Sequence, residues 1–310
     1  MTPLEQADYL THFRADSIVR DAEHIRKELG VERWSVLGQS FGGFCVMTYL
    51  SFFPDSLREA FLTGGLAPIG RHTDEVYVKT YARVFERCRR YYQRYPEDKA
   101  HVRRIIDTLQ GSDVRLPGGD RLTARRFRQL GQMLGGSDGA ERLHYLIESP
   151  IDSLVFLNDV EYESPFPRNP LYAVIHESSY ADGCATRWSA QRTLPDWFED
   201  QPEFFSGEHV FPWMFDDFSA LAPLKEAARI LADVEWPKLY DREALGRNTV
   251  PAAAAVYFED MYVECKFSVE TAAQIQGLRP SITNEFEHDA LRLHGDRVLD
   301  RLIDLARGNA

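Results

Sequence analysis

Gly38-Gln39-Ser40-Phe41-Gly42 limits what this chain can fold into more than any other stretch. It stands between a short apolar run, Trp34-Ser35-Val36-Leu37, and a longer one from Phe41 to Phe53 that Pro54 ends. The first has the length of a buried strand and the second the length of a helix. A serine with glycines two residues to either side, at a strand-to-helix junction, is the pattern of a nucleophile elbow. Such a turn holds the serine in a strained backbone, and bulky side chains at the flanking positions would collide across it. The pattern alone is weak, because glycine is about 7% of residues and a chain this long shows one by chance roughly one time in ten. The strand before it and the helix after it give it weight.

A serine hydroxyl is a poor nucleophile unless a base takes its proton, and the base needs a carboxylate to orient it. On scaffolds with this elbow the acid follows the serine, and the histidine follows the acid. The acid belongs after a late strand. Val256-Tyr257-Phe258-Glu259-Asp260 fits, and Asp260 lies 260 − 40 = 220 residues after Ser40. Spacing alone leaves Glu259 equally placed. His288, 288 − 260 = 28 residues later, follows the apolar stretch around Ser281-Ile282-Thr283. His294 is the competing histidine, nearer the last helix.

Strands alternating with helices predict a doubly wound α/β core. Thr2-Pro3-Leu4-Glu5 reads as a capped helix start. The helical pattern runs to about Leu29, in one piece or two, with Leu10, Phe13, Ile18, Ala22 and Ile25 on its apolar side and Gly30 as its stop. Ala60 to Thr63 and Ala252 to Tyr257 read as strands, and Asp296 to Ala306 as a closing helix. Residues 71–219 differ in character. They are helix-rich, with many Arg and aromatic residues and Pro165, Pro167 and Pro170, and are expected to form an inserted lid between core segments 1–70 and 220–310.

The net charge of −12 disfavours a nucleic-acid partner. The densest basic run, Arg87, Arg89, Arg90, Arg94, Arg103 and Arg104, is broken by acids and reads as a solvated helix face. Cys45, Cys88, Cys184 and Cys265 show no zinc spacing and suit free thiols in a reducing cytoplasm. No leader pattern opens the sequence and no apolar run approaches the length of a membrane span, so neither secretion nor membrane insertion is expected.

The stretch from Trp34 to Phe44, with Thr63-Gly64-Gly65-Leu66, resembles the elbow region of prolyl aminopeptidases, or proline iminopeptidases, serine peptidases of the α/β-hydrolase fold. Asp260-Met261-Tyr262-Val263 resembles that family's acid segment, and Asn284-Glu285-Phe286-Glu287-His288-Asp289 its histidine segment. The resemblance implies hydrolytic release of an N-terminal proline from small peptides, without metal or organic cofactor. It makes Ser40, Asp260 and His288 the triad and the Phe41 backbone N–H an oxyanion donor. It also implies lid glutamates that hold the substrate's free amine. His176-Glu177-Ser178-Ser179-Tyr180 looks like one such segment, which makes Glu177 the candidate, with Glu161 or Glu163 as a second. Trp188, Trp213 and Phe215 could wall the proline pocket or simply fill the lid core.

The sequence departs from the family in one respect. A His-Gly-Gly-Pro-Gly segment, expected well upstream of the nucleophile as the second oxyanion donor, is missing. The expectation is a chain shortened at its N-terminus, with the serine strand left at the sheet edge. The residues keep two other readings open: an esterase or amidase using the same triad, or an inactive remnant that only binds peptides.

Overall fold

A computed structural model describes residues 1–309. Helix α1 spans Pro3–Leu10, with Thr2 and Glu5 capping each other's backbone N–H groups, and α2 spans Ala15–Glu28. Strand β1 (Trp34–Gln39) leads into α3 (Phe41–Phe52), then β2 (Leu57–Thr63) and the long helix α4 (Thr73–Arg94). Short helices follow, until β3 (Ala252–Tyr257) and β4 (Leu278–Thr283) complete the sheet and the helix Gly295–Arg307 closes the chain. The four strands are parallel, in the order β1-β2-β3-β4. Parallel neighbours need crossover connections, and the helices that supply them, α3 and Cys265–Ala272 among them, pack on one face, while the closing helix covers the other.

The strand period of two sorts the core. Ala60, Leu62, Ala252, Ala254 and Val256 pack in one cluster with Phe44, Met47 and Leu50 of α3. The alternate residues, Phe61, Ala253, Ala255 and Tyr257, pack on the other face with Val298, Leu302 and Leu305 of the closing helix. Four consecutive alanines in β3 let helices approach closely from both sides. Each buried Leu or Phe contributes about 2 kcal/mol. A separate apolar core, including Val84, Leu109, Phe127, Leu143 and Phe205, lies within the helices between β2 and β3. Helix α1 packs Ala7 and Leu10 with Ala181, Ala227 and Leu231 rather than on the sheet.

Three expectations change. β1 is only half-buried, with Ser35 and Leu37 exposed, because it lies at the sheet edge beyond the strands the closing helix packs on. On α2 the inward face is Ala15, Val19 and Glu23, while Ile18 and Ile25 are exposed. Glu23 sets that rotation. Its carboxylate accepts from Ser56 Oγ (3.0 Å), Arg26 Nε (2.9 Å) and the Tyr49 hydroxyl. Those bonds hold its pKa at about 2 despite burial, with the Arg26 bond the largest cause. The basic run is solvated except at Arg87: Arg90, Arg94 and Arg103 are exposed and pair with Glu259, Glu141 and Glu203, whereas Arg87 is largely buried against Glu287.

Among the described residues no helix is long and apolar enough to cross a membrane. All four cysteines are free.

Candidate active site

Ser40 sits between the end of β1 and the first residue of α3, at φ 61° and ψ −120°. A non-glycine residue rarely adopts that conformation, and such strain persists only where the surroundings enforce it. The enforcement is visible. Ser40 N–H donates to the Thr63 carbonyl of β2 (2.9 Å). A Cβ on Gly38 would lie 2.1 Å from the Gly42 carbonyl oxygen, and one on Gly43 would lie 2.5 Å from that of Gly65. A Cβ on Gly42 would meet nothing within 4 Å, so close packing demands Gly38 and Gly43, not both outer glycines of the motif. Phe41, at the first position of α3, has a backbone N–H with no intrahelical partner to claim it.

Asp260 follows β3 by three residues and is almost fully buried. Its Oδ1 accepts from the N–H groups of Tyr262 (2.8 Å) and Val263 (3.1 Å), and its Oδ2 lies 2.7 Å from His288 Nδ1. Burial works against an imidazolium at His288, but the Asp260 carboxylate outweighs it, with Glu208 and Asp289 adding to the effect. The His288 pKa is therefore raised above the ordinary 6.5. The Tyr262 ring packs on the imidazole at 4.7 Å.

Two contacts bring this pair to the elbow. Gln39 Nε2 donates to the His288 carbonyl (3.0 Å), and a Cβ on Gly64 would lie 3.0 Å from His288 Nδ1. Among the described residues Ser40 Oγ makes no hydrogen bond to His288, a looseness common in sites without substrate. The competing residues are engaged elsewhere. The Glu259 carboxylate pairs with Arg90, and His294 packs on Phe286 at 4.9 Å.

Ser40 and Phe41 open onto a cavity of about 1010 Å³ whose wall includes Tyr172, His176, Tyr180 and Glu208. Glu177 is not on that wall. Its carboxylate accepts from the N–H groups of Ser189 (3.1 Å) and Ala190 (2.8 Å), and burial raises its pKa to about 7. A half-neutral carboxyl that backbone donors already occupy is a poor partner for an ammonium group. In this structure Glu177 therefore faces the Ser189 and Ala190 N–H groups and not the cavity of Ser40. Glu161 accepts from the Gly118 N–H (2.9 Å) and Glu163 pairs with Arg142, and neither lines the cavity. Glu208 does line it. It is half-buried, and its carboxylate accepts from the Tyr172 hydroxyl, whose own pKa is driven up by burial and then by that negative charge.

The sequence missed Glu208 because Ser206-Gly207-Glu208-His209 lies in an irregular loop with no periodicity to mark it. Trp188 packs on Phe215 and Trp213 stacks on Phe211, so these aromatics pack against the core shared with the sheet and α3 and do not line the cavity. Among the described residues no group of three or more His, Cys, Asp or Glu could hold a metal ion.

A parallel sheet with a serine at a strained elbow, and a buried Asp–His pair beyond its third and fourth strands, defines an α/β-hydrolase. Residues 1–150 match the family described as alpha/beta hydrolase fold. Within that class the chain belongs to the proline iminopeptidase family. It is 50% identical over 318 residues to the proline iminopeptidase of Aeromonas sobria, a match covering 99% of this chain and 75% of the relative. It is 36% identical over 325 residues to proline iminopeptidase aneH of Aspergillus aculeatus, covering 97% of this chain and 71% of the relative. An alpha/beta fold family hydrolase of Bacillus anthracis is a looser structural neighbour, with a TM-score of 0.41 and 14% identity over 96% of this chain and 75% of that one.

Proposed function

We infer that this chain is a serine aminopeptidase that releases N-terminal proline from small peptides. In the reaction, Ser40 Oγ attacks the prolyl carbonyl and His288 Nε2 takes the hydroxyl proton. The Phe41 N–H faces the developing oxyanion. His288 then gives the proton to the leaving amine, so the C–N bond breaks and a prolyl ester of Ser40 remains. Water, deprotonated by His288, hydrolyses that ester and frees proline. Asp260 orients the imidazole and favours its charged form throughout. Glu208 anchors the ammonium of the substrate's proline, in place of the Glu177 first expected. A carboxylate in a partly dry cavity is the natural partner of a buried cation.

The observation that carries this reading is the common cavity of Ser40 and Glu208 in a chain that is half identical to a proline iminopeptidase. The division into core (1–70 and 220–310) and helical lid (71–219) belongs to the same proposal, with the separate apolar core of the lid helices in its support. We place the enzyme in the cytoplasm, where four free thiols are stable. Its acidic surface leaves nucleic acid out as a partner.

The test compares a prolyl amide bearing a free amine with its N-acetylated counterpart. The free-amine substrate is expected to turn over far faster. Equal turnover would point to a general amidase or esterase, and no turnover of either to a peptide-binding remnant.

A further inference from the structure

Arg87, on α4, stands within the run that reads as a solvated face, yet its side chain is only 14% exposed. Its Nη2 donates to the Glu259 carbonyl (2.8 Å) and its Nη1 to Glu287 Oε1 (2.8 Å), and Nη2 also meets Glu287 Oε2. Glu259 immediately precedes Asp260, and Glu287 immediately precedes His288. One guanidinium therefore joins the loop that carries the acid to the loop that carries the histidine.

The two loops leave the sheet at paired positions, Tyr257 of β3 beside Thr283 of β4. Beyond those residues the ladder no longer sets their spacing, and the 2.7 Å Asp260–His288 bond depends on it. Arginine suits this place because its planar fork can hold two acceptors at once in fixed directions. An ammonium is a single point charge on a flexible stem.

We propose that Arg87 is a positioning residue, which holds the Asp260 and His288 loops in the register the reaction needs. The proposal rests on the triad reading given above. It also gives the inserted region a second role: Tyr172, His176 and Glu208 wall the cavity, while the docking of α4 aligns the acid and the base. Arg90, about one turn further along α4, pairs among the described residues with the Glu259 carboxylate on the acid loop alone and serves as the comparison.

The experiment measures kcat, KM and thermal midpoint on a free-amine prolyl amide for Arg87→Met, Arg87→Lys, Glu287→Gln, Arg90→Met and Ser40→Ala. Misplacing a reacting group by an ångström can cost about a hundredfold, so Arg87→Met should lower kcat by about ten- to hundredfold with KM little changed. Arg87→Lys, able to reach one loop at a time, should recover part of that loss, and Glu287→Gln should fall between Arg87→Met and the parent. Arg90→Met should keep parental kcat. Parental kcat in Arg87→Met overturns the proposal, as does an equal loss in Arg90→Met. If Arg87→Met does not fold, Glu287→Gln decides, since unchanged kcat there overturns the proposal equally. Turnover surviving in Ser40→Ala would instead overturn the triad reading, which keeps the two failures distinct.

Discussion

Replacing Glu208 by glutamine removes one charge from the cavity wall and leaves the shape and the acceptor for the Tyr172 hydroxyl in place. A carboxylate and an ammonium about 4 Å apart attract by about 4 kcal/mol at an effective dielectric of roughly 20. Glu208 is half-buried and the substrate amine must shed water to reach it, so about half of that, roughly 2 kcal/mol, should survive as net binding. At 1.4 kcal/mol per tenfold this is about a thirtyfold fall in kcat/KM. The assay measures kcat/KM for the free-amine prolyl amide and for its N-acetylated form, in parent and Glu208→Gln. The loss should be confined to the free amine, so the preference for it should shrink by the same factor. An unchanged free-amine value, or an equal fall on both substrates, would refute the reasoning. Glu177→Gln should leave both substrates' KM values alone, because that carboxyl faces the Ser189 and Ala190 N–H groups instead.

Asp260→Asn should cost about 10⁴-fold in rate by favouring the wrong imidazole tautomer, whereas Glu259→Gln should be mild; steady-state kinetics on the two variants checks this, and the reverse order would reassign the acid. In the parent, kcat/KM should rise with pH through a His288 pKa above the ordinary 6.5, and the limb should move to lower pH in Asp260→Asn, seen in a pH–rate profile. Glu177 gives a pH prediction for stability. Its folded pKa of about 7 exceeds the ordinary 4.5, so the native state keeps a proton that the unfolded chain has released. Its contribution is therefore full below 4.5 and is lost as pH rises to about 7. The gap of 7 − 4.5 = 2.5 units is worth about 3 kcal/mol. Urea midpoints followed across that window should fall in the parent and fall less in Glu177→Gln; parallel curves would contradict the burial argument.

The chemistry of the elbow was legible because it is local. Gly38, Ser40 and the two apolar runs lie within twenty residues, and their pattern records the steric demands of one turn. Asp260 and His288 were legible because each follows a strand, and strand ends are where this architecture presents side chains. Spacing could not choose Asp260 over Glu259. The structure separates them by their partners: backbone N–H groups and His288 for one, Arg90 for the other. The glutamate on the cavity wall was not legible. Glu177 opens a short 3-10 helix and Glu208 lies in an irregular loop, and only the three-dimensional path decides which one meets backbone donors and which one meets the cavity. The face of α2 failed for a related reason. A count of apolar residues turns Ile18 and Ile25 inward, but Glu23, saturated by Tyr49, Ser56 and Arg26, costs less to bury than its charge suggests. Arg87 escaped notice because its neighbours in sequence are solvated and its two acceptors lie 172 and 200 residues away.

The most direct test of the central claim is to label the protein with a fluorophosphonate, map the modified peptide by mass spectrometry and follow prolyl amide turnover in the same sample. The account predicts one phosphonyl group per chain, on Ser40, with turnover lost in proportion to labelling and labelling slowed by a prolyl substrate. A label on another residue of the cavity, such as Ser178 or Ser179, or full turnover in fully labelled protein, would contradict it.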